Sequence, residues 1–223
     1  MSIILNIDTA VQVSSVCLAE NDKPVGTKVN PSQKDSAAWL HIAIEELLDN
    51  YRYSLSQLDA IAISEGPGSY TGLRVGMATA KGLCYALHKP LITINTLKMM
   101  AAEVQNKPAN LFCPMVDARR MEVFTAVFDK DLNSIMPPMN LILNENSFND
   151  LLKNEVILFF GNGSIKFQSI AKHPNALFAS IEITAAAMTG LSYQKFLKEE
   201  FADLAYSQPF YGKDFHSSVK HSL

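Results

Sequence analysis

Charge is scarce in this sequence. Only 18% of the 223 residues are charged against 48% hydrophobic, and 22 acids outnumber 19 Lys and Arg for a formal net charge of −3. A disordered chain needs the opposite balance, so disorder is excluded. The clustered Lys and Arg that let a protein grip nucleic acid on its own are also missing. Long apolar runs are absent too. Stretches such as Val156-Ile157-Leu158-Phe159-Phe160 fall far short of the roughly 20 residues that span a bilayer, so no membrane span is expected. The opening Met1-Ser2-Ile3-Ile4-Leu5-Asn6-Ile7-Asp8 has no basic segment before its apolar stretch and does not read as a signal peptide. Cysteine is limited to Cys17, Cys84 and Cys113, odd in number, far apart and set in apolar runs. They read as buried reduced thiols of a cytoplasmic protein, with no Cys-x-x-Cys pair to suggest zinc.

The usual catalytic signatures are missing as well. The histidines are His41, His88, His173, His216 and His221, and no two have His-x-x-x-His or His-Glu-x-x-His spacing. There is no Gly-x-Ser-x-Gly elbow. No metal or cofactor is expected.

What is present is a strand-rich α/β pattern. Ile3 to Asp8, Ser14 to Glu20 and Val25 to Val29 read as three strands joined by short turns. Asp35 or Ser36 can cap a helix running to about Tyr51. Leu58 to Ser64 alternates as a buried strand, followed by the loop Gly66-Pro67-Gly68-Ser69-Tyr70 and a helix from about Thr71 to Leu87. A strand (Leu91 to Ile94) and a short helix (Leu97 to Val104) complete this half. The polar segment Gln105 to Asn110 marks a boundary, giving an N-terminal lobe of 1–106 and a shorter C-terminal lobe of 107–223.

The pattern then restarts. Leu111 to Asp117 again delivers an aspartate to a hairpin, 109 positions after Asp8, and Glu122 to Phe128 alternates as its partner strand. Gly161-Asn162-Gly163-Ser164 echoes Gly66-Pro67-Gly68-Ser69. Two matches in the same order indicate a duplicated α/β unit with a degenerate second half. Hairpins opening each half and glycines at strand-to-helix turns predict the two-lobed actin-like ATPase (ASKHA) fold. A doubly wound Rossmann fold is disfavoured, because it needs its glycine-rich turn straight after the first strand.

Two groups of residues carry candidate function. Gly66, Gly68, Ser69, Thr71 and Gly72, with Asp8 and Thr9, could form a phosphate or nucleotide loop at a helix start. The competing reading is a tight turn demanded by close strand–helix packing, since no Gly-Lys-Ser/Thr ending is present. Asp8 and Asp117 could face a cleft, or simply cap their hairpin turns; Arg119 and Arg120 could pair with phosphate, or lie in a solvated turn. The second group is a partner interface. The helix after the loop carries one small-residue ridge at Gly72, Gly76 and Ala80 and another at Ala78, Gly82 and Ala86, about 200° apart. Arg74 and Lys81, seven residues apart, share one stripe. The preceding helix has Ala37, Leu40, Ile44, Leu47, Leu48 and Tyr51 on a docking face, with Trp39 and Ile42 opposite, near Ala43 and Glu46. Exposed Trp favours a binding role. The candidate interface is therefore Trp39, Ile42, Leu73, Arg74, Gly76, Met77, Ala80, Lys81 and Cys84.

Ile7-Asp8-Thr9-Ala10, Leu58-Asp59-Ala60-Ile61-Ala62, Gly66 to Gly76 and Ala78 to Leu83 closely resemble the TsaB (YeaZ) family. Asp117-Ala118-Arg119-Arg120-Met121-Glu122-Val123 and Pro209-Phe210-Tyr211 are similar to it as well. The resemblance implies an actin-like fold and a non-catalytic subunit in making threonylcarbamoyladenosine in tRNA. It further implies a heterodimer with a catalytic homologue, TsaD, which carries the metal-binding histidines, through the first two helices of each. A third, ATP-hydrolysing subunit, TsaE, joins the pair, and tRNA is reached indirectly through the complex. A homodimer through the same helices is the alternative for the chain alone. Where the family often has His-Ser opening the first helix, this chain has Asp35-Ser36, which weakens any metal role there. The alternative function is an actin-like nucleotide-dependent transferase or kinase using Asp8 and the Gly66–Gly72 loop.

Overall fold

The computed structural model describes residues 1–11, 13–30, 32 and 36–212. Asp35, His216 and His221 lie outside the described residues. Two five-stranded sheets carry the fold. In the first, β1 (Ile3–Asp8), β2 (Ser15–Glu20), β3 (Lys23–Val29), β4 (Ala60–Gly66) and β5 (Leu91–Asn95) are ordered β3-β2-β1-β4-β5. β1 is antiparallel to β2, pairing Asp8 with Ser15, and parallel to β4, pairing Ile7 with Ile63. All six β1 residues are buried, as a central strand covered on both faces requires. Helices α1 (Ser36–Asn50) and α2 (Tyr70–Leu87) follow β3 and β4, and α3 (Thr96–Glu103) follows β5.

The second sheet repeats this order. Strands β6 (Leu111–Asp117), β7 (Glu122–Phe128), β8 (Ser134–Ile142), β9 (Ile157–Phe160) and β10 (Ala176–Ala179) run β8-β7-β6-β9-β10, with the same antiparallel and parallel pairings. The helices show where the copy has degenerated. Where α1 and α2 have 15 and 18 residues, their counterparts α4 (Asn149–Leu152) and α5 (Ser164–Gln168) have four and five. The fold is thus the two-lobed actin-like architecture that the duplicated pattern predicts.

Strand alternation sorts the side chains into three apolar layers. Ile3, Leu5 and Ile7 face α1 and α2 with Leu40, Ile44, Leu47, Met77 and Cys84. On the other face of β1, Ile4 joins a central cluster with Ile92, Leu97 and Met100 of the first half and Phe112, Phe124 and Phe160 of the second. The outer layer of the second sheet gathers Cys113, Val127, Phe159 and Phe167, with Phe159 and Phe167 rings 4.9 Å apart. The three cysteines are free and buried, in keeping with the sequence reading, and burial pushes the Cys84 and Cys113 thiols up to about 12. No helix among the described residues is long and apolar enough to cross a membrane.

Beyond β10 the described chain returns to the first sheet. After a 3-10 turn (Ala185–Met188), helix α6 (Thr189–Leu197) packs back on β1 and β5. Ser192 Oγ donates to Asn6 Oδ1 (2.6 Å), Ala185 N–H to Ser15 Oγ (2.8 Å), and Lys195 Nζ to the Thr93 carbonyl (2.9 Å). The two sheets are built from residues 3–95 and 111–179, and residues 185–211 return to the first.

Candidate functional site

The glycine-rich turn owes its composition to the hairpin between β1 and β2. Thr9 Oγ1 donates to the Gly72 carbonyl (2.7 Å), and Ser69 N–H donates to the Ala10 carbonyl (2.8 Å). A Cβ on Gly72 would lie 2.0 Å from Thr9 O, and one on Gly68 would lie 2.2 Å from Ala10 O. Only glycine lets two backbones approach so closely. Ser69 caps α2 through its Oγ, accepting from Gly72 N–H at 3.2 Å, and its carbonyl accepts from Leu73 N–H. The groups facing Gly68 and Gly72 are carbonyl oxygens, whereas a phosphate needs N–H donors. The packing reading accounts for Gly66, Gly68, Ser69 and Gly72. Thr71 is exposed at the start of the helix.

Asp8 is fully buried beside this turn. Its Oδ1 accepts from Ser64 Oγ (2.5 Å) and Ala10 N–H (3.0 Å), while Oδ2 has no hydrogen-bond partner among the described residues. Burial pushes its carboxyl up to about 6 against the opposing pull of those two donors. The equivalent Asp117 is exposed. Partial burial raises it, but the Lys166 ammonium at 2.9 Å and the Arg119 N–H outweigh that and hold it below the usual carboxylate range. Among the described residues no three His, Cys, Asp or Glu side chains group as a metal site.

Helix α2 separates into two sides. Gly72, Leu73, Gly76, Met77, Ala80 and Cys84 are buried within the subunit, with Gly76 against Thr9 Oγ1 and Ile63. Five of the residues expected at an interface, Leu73, Gly76, Met77, Ala80 and Cys84, thus pack against their own sheet and α1. A sequence shows that a helix has two small-residue ridges but not which ridge the sheet takes. The other ridge, Ala78, Gly82 and Ala86, is exposed at four-residue spacing, as is Arg74 one turn before it. Nothing lies within 4 Å of a Cβ built on Gly82, and neighbouring Tyr85 is 77% exposed. On α1, Ile42 is 55% exposed, whereas Trp39 is half-buried against the apolar layer beneath and Ala43 is buried.

Arg74 and Lys81 have a use that the spacing could not disclose. The segment after α6 runs back along α2 as a strap. Arg74 Nε donates to Tyr211 Oη (3.1 Å), and its guanidinium lies 4.4 Å from the Tyr70 ring centre. Lys81 Nζ donates to the carbonyls of Ala205 (3.1 Å) and Ser207 (3.0 Å). Phe210 N–H donates to Glu65 O (2.7 Å), and the Phe210 carbonyl takes the space that a Cβ on Gly66, at φ +116°, would need (2.1 Å). Of this strap the sequence singles out only Pro209-Phe210-Tyr211, through its family resemblance and not through any contact with α2.

Comparison with known proteins adds the family. The family model described as "TsaD: tRNA N6-adenosine threonylcarbamoyltransferase" matches residues 21–213. The chain is 29% identical to the tRNA threonylcarbamoyladenosine biosynthesis protein TsaB of Bacillus subtilis, over 71% of this chain and 70% of that protein. It is 34% identical to the Escherichia coli protein of the same name, over 59% of this chain and 57% of that protein. The solved YeaZ structure from Pseudomonas aeruginosa superposes with a TM-score of 0.79 at 23% identity, covering 95% of this chain and all of that one. With the family model spanning most of its length and TsaB proteins among its relatives, the chain belongs to the TsaB/YeaZ family, within the wider TsaD-type group that the model describes.

Proposed function

We propose that this chain is a non-catalytic subunit in tRNA threonylcarbamoyladenosine biosynthesis, binding a TsaD-like catalytic homologue through the exposed faces of α1 and α2. The observation that carries this reading is the ridge Ala78, Gly82 and Ala86, which stays uncovered on a helix whose opposite side is packed. Small side chains at four-residue spacing leave a shallow groove into which a second helix can pack closely. Ile42 and Tyr85 supply exposed apolar surface on the two helices. Trp39, Leu73, Gly76, Met77, Ala80 and Cys84 act behind this surface by holding α1 and α2 in place. A TsaE-like ATPase joining the pair, tRNA reached through the complex, a homodimer of the free chain through the same face, and a cytoplasmic location belong to the same proposal. So do lobes 1–106 and 107–223.

The competing transferase or kinase reading relies on Asp8 and the Gly66–Gly72 loop, and the carbonyl oxygens packed against Gly68 and Gly72 weigh against it. Reconstitution tests both. The homologue and ATPase should modify tRNA only when this chain is added, and this chain alone should give no heat on titration with magnesium and ATP. Modification at full rate without it, or clear nucleotide binding by it alone, would overturn the proposal.

A further inference from the structure

The tip of the β6–β7 hairpin is built in an unusual way. Arg119 and Arg120 both have positive φ, 71° and 47°, in the left-handed region that glycine and asparagine tolerate and arginine rarely adopts. The tip is also held firmly. Asp117 Oδ1 accepts from Arg119 N–H (2.6 Å), Asn162 Oδ1 accepts from Asp117 N–H (2.9 Å), and Lys166 Nζ reaches both Asp117 Oδ1 (2.9 Å) and the Glu122 carbonyl (3.0 Å). Leu143 N–H donates to Met121 O (2.7 Å). The nearby acids are already engaged: Asp117 by Lys166, and Glu122 by Asn140. Both arginines are exposed, and among the described residues no hydrogen bond or ion pair engages either side chain. A chain poor in charge therefore presents two adjacent unpaired guanidinium groups on a stiff, strained turn. Eight non-glycine residues among those described have positive φ, and Arg119 and Arg120 are the two that adjoin.

We propose that Arg119 and Arg120 contact backbone phosphates of the tRNA while this chain is held in its complex. Guanidinium groups bind phosphate oxygens in pairs of hydrogen bonds, and a rigid turn presents them without a large ordering cost. Two such contacts are too few for a protein of net charge −3 to bind RNA alone, but they add to an affinity that the partner supplies. The inference rests on the functional reading above and extends it from indirect to direct tRNA contact.

The test uses the assembled pair of this chain and its catalytic homologue with a fluorescein-labelled, unmodified tRNA transcript, followed by anisotropy across a salt series. The variant is Arg119→Asn with Arg120→Gly, whose residues suit the left-handed backbone. Affinity should fall roughly ten-fold near physiological salt. The slope of log K against log salt should flatten by about 1.4–1.8, two phosphates at about 0.7–0.9 each. Light scattering should show the pair intact, and the melting temperature should be equal or higher because the turn is relieved. Arg119→Lys with Arg120→Lys should retain the parental slope. Unchanged affinity and slope would overturn the inference. So would loss of the pair itself, which would assign the arginines to acids of the partner protein. A parental pair that assembles but binds no tRNA would overturn the functional reading and this inference with it.

Discussion

Gly72 and Gly82 lie on the same helix and should answer the same substitution in opposite ways. A methyl group on Gly72 meets the Thr9 carbonyl at 2.0 Å, a backbone atom that cannot swing aside. Gly72→Ala should therefore cost about 1–3 kcal/mol or more. Gly82 meets nothing, so Gly82→Ala should stabilise by about 0.5–1 kcal/mol through helix propensity alone. Urea denaturation of the two variants checks the pair. Asp8 gives a pH-dependent prediction. Its carboxyl is raised from 3.8 to about 6 in the folded protein, so the folded state keeps a proton that the unfolded chain has lost. The stabilisation is complete below about pH 4 and is lost as pH rises through 6. Asp8→Asn removes that loss. Relative to the parent, the variant should be more favoured at pH 8 than at pH 5, by on the order of 1–2 kcal/mol. An equal difference at both pH values would show that Asp8 ionises freely in the fold.

Among the elements, those legible in the sequence are the ones whose burial imposes a period. β1, β2, β4 and β6 are almost wholly buried, and α2 alternates small and large residues around its axis. β8 escaped because it is a mostly exposed edge strand interrupted by Pro137-Pro138. α6 escaped because its fully buried residues are Thr189 and Ser192, which make no apolar stripe. The strap of residues 202–212 has no period at all, and its anchors are polar contacts with residues more than a hundred positions away. Those anchors should be measurable by hydrogen exchange. Lys81→Met removes two hydrogen bonds to the strap, so the amides of Phe210 and Ala202, bonded to Glu65 O and Leu91 O, should exchange about five-fold faster. The amides of β1 should be unaffected; a uniform increase across the sheet would mean that Lys81 supports the whole lobe instead.

Across the whole molecule, duplication explains both the symmetry and the asymmetry. The same strand order occurs twice, yet only the first copy keeps long helices on its outer face. On α1 and α2 the surface turned away from the sheet leaves Ile42, Tyr85 and the Ala78-Gly82-Ala86 ridge uncovered. The ridge could be read from spacing; which flank faces outward needed the sheet to be placed. The central claim is that this face holds a second, homologous chain. Size-exclusion chromatography with light scattering of the chain mixed with its TsaD-like homologue tests it directly, using Gly82→Arg combined with Ile42→Asp, both at open positions that leave the fold intact. The parent should form a heterodimer, and the variant should leave two separate, folded monomers. A heterodimer of undiminished stability in the variant would contradict it.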